Sequence, residues 1–158
     1  MQYRQLPPGD EFTDVEAVCR AVPRSPEETD DCCGRICSRT AVESREHASQ
    51  WLVFLTGLGC VSDDGEGYYR HRDVPEGEEL GDWFESSIFA VEEVLGVLEH
   101  SAHPLSPGEV LEQVDESTRR RLERAETGVT YVTRILEWAT VFDRAERTGE
   151  GYTRPERV

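Results

Sequence analysis

Gly65-Glu66-Gly67-Tyr68-Tyr69-Arg70 and Gly149-Glu150-Gly151-Tyr152-Thr153-Arg154 carry nearly the same residues in the same order. Each follows a long apolar segment, and each sets a glycine-rich turn before a β-prone run, which is how a short hairpin is written. Upstream of the two hairpins, Val15-Glu16-Ala17-Val18 recurs as Val91-Glu92-Glu93-Val94, and Ser25-Pro26-Glu27-Glu28 as Ser106-Pro107-Gly108-Glu109. Three matches in one order predict a duplicated unit of about half the chain. Each copy reads as helix, helix, longer helix, hairpin.

The periodicity supports that order. Asp10 to Val22 is predicted as a helix with Phe12, Val15, Val18, Cys19 and Val22 on one stripe, stopped by Pro23. At Ser25 the second helix is expected to begin, with Ser25 as cap, Pro26 at the first helical position and Glu28 reaching back; Ser106 repeats the device. A third helix is expected over 41–58, with Trp51, Leu52, Phe54, Leu55 and Leu58 inward and Gly59 as a left-handed stop. Cys60-Val61-Ser62 and Tyr68-Tyr69-Arg70 then flank the first hairpin turn. Residues 1–9 read as a Pro-ended tail, 10–73 as one module, 74–82 as an acidic linker and 83–158 as the second module. In the latter, one apolar helix is expected from Trp83 through Leu98. The third helix, about 127–142, carries Val129, Val132, Ile135, Leu136, Trp138 and Phe142 inward, and Arg144-Ala145-Glu146 pairs with Tyr152-Thr153-Arg154. The copies differ in a longer predicted connection between first and second helices, and in the run Arg119-Arg120-Arg121-Leu122-Glu123-Arg124, which the first lacks. Trp83, Phe84, Ile88 and Phe89 are expected to fix the modules against each other.

Composition sets the environment. The chain has 33 Asp plus Glu against 17 basic residues, every one of them Arg, for a net charge of −16. Acidic surfaces of this kind suit molar salt, where repulsion is screened over about 3 Å. No stretch nears the roughly 18 apolar residues of a membrane span, and the N-terminus lacks the apolar core of a signal peptide. A cytoplasmic protein is expected. Five Cys without a secretory signal suggest reduced thiols, not a disulfide framework.

The repeated three-helix-and-hairpin order resembles the winged helix-turn-helix superfamily of archaeal and bacterial DNA-binding regulators, here as a tandem pair of haloarchaeal type. The implied fold is mainly α with small β-hairpins, an α+β architecture of two winged helix-turn-helix modules. The resemblance implies that double-stranded DNA is the partner, with the third helices in the major groove and the wings on phosphates. On that basis the first module offers Ser44, Arg45, His47, Ala48 and Ser49, and the second Thr127, Thr130, Tyr131 and Arg134. Arg70, Arg72, Arg147 and Arg154 would meet phosphates, with Arg119, Arg120, Arg121 and Arg124 as a further patch. Two modules on one chain could replace a dimer on a two-part site; whether the protein is a monomer or a homodimer stays open. Seven arginines stand against fourteen carboxylates over residues 10–73, and nine against fifteen over 85–158, so neither module has a basic excess. In molar salt counterion release contributes little, so that balance decides less. The alternative is an adaptor that binds a protein partner through its winged helices, without DNA.

Cys32, Cys33 and Cys37, with Cys19 nearby, have the softness for zinc, copper or a metalloid, but the pattern lacks a Cys-x-x-Cys pair and fits small buried hydrophobes better. His100 and His103 form an i, i+3 pair of the kind that is usually incidental. Neither a phosphate loop, a metalloprotease motif nor a nucleophile elbow is present. The expectation is a non-enzyme without a cofactor.

Overall fold

The structure, a computed structural model, describes residues 5–9, 14–25, 31–65, 67–124 and 128–155, and of Arg124 only the backbone. Among these the first copy is α1 Val15–Ala21, α2 Cys32–Arg39, α3 Arg45–Leu58 and the hairpin β1 Val61–Asp63 with β2 Tyr68–Arg70. The second holds α4 Glu78–Ser87, α5 Val91–Glu99, α6 Pro107–Gln113, α7 Glu116–Arg124, α8 Gly128–Val141 and the hairpin β3 Glu146–Thr148 with β4 Gly151–Thr153. The fold is mainly helical with two small antiparallel hairpins, as the repeat predicts.

Caps place the helix starts. Asp14 accepts the Glu16 N–H, Asp31 that of Gly34 and Ser44 that of His47, so α3 begins at Arg45, four residues later than expected. Ser106 and Glu109 form the predicted capping box. The matching device at Ser25 falls largely on residues 26–30, outside the described set; α2 itself starts at Cys32, after Asp31. Gly59 closes α3 at φ 86°, a left-handed conformation that glycine adopts without Cβ strain.

Three expectations change. The stretch read as a linker is helical from Glu78, because Glu78 and Glu79 sit in a first turn whose exposed N–H groups favour negative charge. The single helix from Trp83 is broken at residues 88–90, where Ala90 takes φ 70°. That break lets Ile88 and Val91 both enter the core, while the Phe89 carbonyl accepts the Tyr131 hydroxyl at 2.9 Å. The extra length of the second copy lies between its second and third helices as α7, whose Thr118 and Leu122 are buried. The connection between α5 and α6 spans only 100–106, whereas 22–31 separate α1 from α2.

Each hairpin gains a third partner from the segment between the first two helices of its copy. The Arg70 N–H donates to the Pro23 carbonyl at 2.7 Å, and Leu105 and Tyr152 exchange two hydrogen bonds of 3.0 and 2.8 Å. The registers differ: Asp63 pairs with Tyr68 around a longer tip, but Thr148 pairs with Gly151 across a tight one. The second hairpin therefore begins two residues later than the sequence pattern placed it, at Glu146.

The copies share one core. Trp138 of α8 meets Trp51 of α3 edge-on at 5.1 Å and Phe54 at 4.9 Å, and Phe84 and Phe142 extend the cluster. Of the residues expected to join the copies, Phe84 and Ile88 are buried, Phe89 packs on Tyr131 and Trp83 lies under Arg72. The centre of the joint is nevertheless the Trp51–Phe54–Trp138 set. Residues 5–9 are no free tail: Leu6 is buried and the Pro7 carbonyl accepts the Trp138 Nε1–H at 2.9 Å. The Gly9 N–H reaches Glu137 so closely that a Cβ there would fall 2.5 Å from the Glu137 Cβ.

Candidate nucleic-acid interface

The third helix of each copy has one core face and one outer face. On α8 the core face is Tyr131, Val132, Ile135, Leu136, Trp138 and Ala139, leaving Val129, Thr130, Thr133, Arg134 and Glu137 outward at helical spacing. Val129, expected inside, is 50% exposed and is the one large exposed hydrophobic among the described residues. Thr130 is exposed, and Arg134 is half-exposed with no hydrogen-bond or ion-pair partner among the described residues. Tyr131 must leave the DNA-facing set, because at 2% exposure its ring is core and its hydroxyl is bound to Phe89. Thr127 lies outside the described residues.

On α3 the outer face is more committed. Ser44 is the cap, and Arg45 holds Asp31 through two hydrogen bonds of 2.8 and 2.7 Å. That guanidinium, with the Gly34 N–H, keeps the Asp31 carboxyl down at about 2, and the Arg45 guanidinium is itself raised. His47 is half-buried and Ser49 exposed, whereas Ala48, expected outside, is fully buried. Farther along, Val53, Thr56 and Gly57 line a cleft of about 390 Å³ shared with Ile88, Phe89 and Tyr131, so the second copy hems in this part of α3.

The arginines expected on phosphates divide. Arg120 pairs with Glu116 at 2.7 Å, Arg119 reaches the Glu112 carbonyl and Arg121 lies 4.6 Å over the Phe89 ring. All three belong to α7, which packs on α8; the Arg124 side chain is outside the described set. Arg147 is exposed, its Nε toward the Gly149 carbonyl. Arg154 is a correction. It is 17% exposed and bridges Glu85 at 3.3 Å and the Arg144 carbonyl at 2.9 Å, which ties the end of β4 to α4 and to the chain after α8 within the second copy. Arg144, which sequence reasoning passed over, sits beside it, binding Asp82 and the Glu78 carbonyl. A half-buried arginine after a helix end is poorly visible in sequence, because its partners lie some sixty residues away.

Around the first hairpin, Arg70 is 15% exposed and pairs with Asp73 at 3.1 Å, while Arg72 stacks 4.1 Å over Trp83. With this geometry in place, the sequence model of one family, the halobacterial double winged helix domain, matches residues 1–158. The chain belongs to that family. No curated protein and no solved structure gives a match. The two helix-helix-helix-hairpin copies are accordingly its winged helices, with α4 leading into the second and α7 inserted between its second and third helices.

The cysteines of this double winged helix protein are mostly packing groups. Cys32, Cys33 and Cys37 are half-buried against the core, and burial raises the Cys33 thiol. No group of three or more ligating side chains gathers among the described residues. Cys19 and Cys60 are both buried, the Cys19 thiol donates to the Arg72 carbonyl at 3.8 Å, and the neighbouring Cys60 thiol together with burial pushes the Cys19 thiol up. His100 and His103 each turn Nδ1 to a backbone carbonyl, of Gly96 and Pro104 respectively. Among the described residues no helix is long and apolar enough to cross a membrane.

Proposed function

We propose that this double winged helix protein is a DNA-binding, transcription-regulator-like protein of a salt-adapted cytoplasm, acting without catalysis. The observation that carries the reading is the outer face of α8, where exposed Val129 and Thr130 stand beside an Arg134 that has no partner among the described residues, on a helix whose other side is core. That is the chemistry of major-groove readout: Arg donates bidentately to guanine, Thr serves bases or phosphates, and a branched apolar side chain meets a thymine methyl. Arg119, Arg120 and Arg121 on the neighbouring α7, with Arg147 on the second wing, supply contacts to flanking phosphates. Ser44, Arg45, His47 and Ser49 give the first module a lesser share, since Arg45 must first release Asp31.

The test is crosslinking and immunoprecipitation from the salt-rich cell, followed by anisotropy titration of the recovered sequences in molar KCl. Discrete peaks are expected, and Arg134→Ala should cost about 1–3 kcal/mol at one base pair with the fold intact. A flat profile with protein partners recovered would instead make it an adaptor.

A further inference from the structure

Arg24, Arg70, His71 and Arg72 line a concavity of about 280 Å³ in the first module, and among the described residues Asp73 is its only carboxylate. Such a gathering is unexpected in a chain with almost two carboxylates for every arginine. The fold builds the notch. The hydrogen bond from the Arg70 N–H to the Pro23 carbonyl brings the chain after α1 alongside β2, setting Arg24 near Arg70. The His71 N–H donates to the Cys60 carbonyl, and Trp83 holds the Arg72 guanidinium against its ring.

The donors are under-used. Arg24 is exposed and has no hydrogen-bond or ion-pair partner among the described residues. Arg72 has the ring but no carboxylate partner among the described residues. Among the described residues only Nη1 of the Arg70 guanidinium is engaged, and its Nε is shielded from water without a partner. A shielded, unpaired donor is costly, and three guanidiniums repel one another unless an anion sits among them. Asp73, 80% exposed on its side chain, neutralises one of them at most.

We propose that this notch is an oxyanion site that binds a phosphate group through Arg24, Arg70 and Arg72, with His71 at its rim. Planar guanidinium forks match phosphate oxygens in pairs, and such charge-assisted contacts persist where salt has screened longer-range attraction. The phosphate can come from a DNA backbone or from a free phosphorylated molecule. The first source rests on the DNA-binding reading above; the site itself does not.

The experiment titrates inorganic phosphate into the whole, isotopically labelled protein in molar KCl, reading amide and arginine side-chain resonances. Saturable shifts are expected at Arg24, Arg70 and Arg72, with affinity lowered about tenfold or more by Arg24→Ala and by Arg72→Ala. Arg24→Ala changes an exposed side chain, so its melting temperature should match the parent. Arg39→Ala, on an exposed arginine at the end of α2 and outside the notch, should titrate unchanged. Absence of a saturable shift, or equal shifts in the Arg24 variant, would overturn the site. A second arm adds a DNA duplex recovered from the cell and, separately, a nucleoside monophosphate. Competition between duplex and phosphate, lost in Arg24→Ala, identifies the backbone source. Saturation by the monophosphate with no duplex competition identifies a free ligand, and leaves the site standing even where the DNA reading fails.

Discussion

Arg70 and Arg154 hold the same place in the repeated phrase, yet the molecule uses them in opposite ways. Arg70 lines an open notch with one exposed carboxylate beside it, whereas Arg154 is wedged between Glu85 and the Arg144 carbonyl inside its own module. Their exposures, 15% and 17%, are almost equal, so burial alone does not distinguish them; partners do. The third helices divide in reverse: α3 is capped, paired and partly covered, while the outer face of α8 carries an Arg134 with no partner among the described residues. After duplication one module has kept its wing arginine on an open notch and the other has drawn the matching arginine into an internal ion pair, which is how one chain becomes asymmetric without losing its repeat.

The sharpest way to break the comparison is to ask whether the modules are separate at all. Trp138→Ala removes the ring touching Trp51, Phe54 and Phe142 and the donor to Pro7. Large-to-small changes at such sites cost about 3–5 kcal/mol. Because the core is continuous, fluorescence of the remaining tryptophans and far-ultraviolet circular dichroism should report one shared, lowered transition in denaturant. Two separated transitions, with one module persisting, would mean that the joint is an accessory and that the modules diverged as independent domains.

Next in size is the arginine pair itself. Arg154→Ala strands Glu85, itself only 22% exposed, beside Arg144 and leaves a backbone carbonyl unpaired. Removing one partner of a buried ion pair costs about 3–5 kcal/mol; with both groups partly solvated, about 2 kcal/mol is expected here. Arg70→Ala releases only an exposed Asp73 and should cost under about 1 kcal/mol. Urea melts of the two variants side by side check the ordering, and equal losses would erase the division of roles.

What the sequence shows plainly is whatever depends on neighbours in the chain. The hairpins, the Ser106 capping box and the Gly59 stop are all local; the box and the stop stand where the residues put them, and both hairpins form, the second two residues later than its pattern placed it. What stays hidden depends on residues far apart. The periodicity of α8 gives the right core stripe but places Val129 and Tyr131 on the wrong sides, because both flank its boundary and only the position of Phe89 decides between them. The break at Ala90 is equally illegible, since alanine favours helix and the left-handed turn is imposed by packing on both sides. Arg24 and His71 carry no motif; a main-chain pairing brings them to Arg70.

The smallest effect concerns how the two second helices begin. The first is held by the exposed Asp31–Arg45 pair, the second by the uncharged reach of Ser106 and the carboxylate of Glu109, whose group the Ser106 N–H also lowers. With Asp31 held at about 2 in the folded chain, against its ordinary value of about 4, its contribution is complete above about pH 4 and is lost as the pH falls toward 2. Melting temperatures of the parent and Asp31→Asn should therefore differ at neutral pH and converge in acid. Molar KCl should narrow the gap without closing it, because salt screens the charge attraction but leaves the hydrogen bond from the Gly34 N–H in place. A gap that stayed constant with pH would show the cap to be purely steric, and the two helix starts would then be equivalent after all.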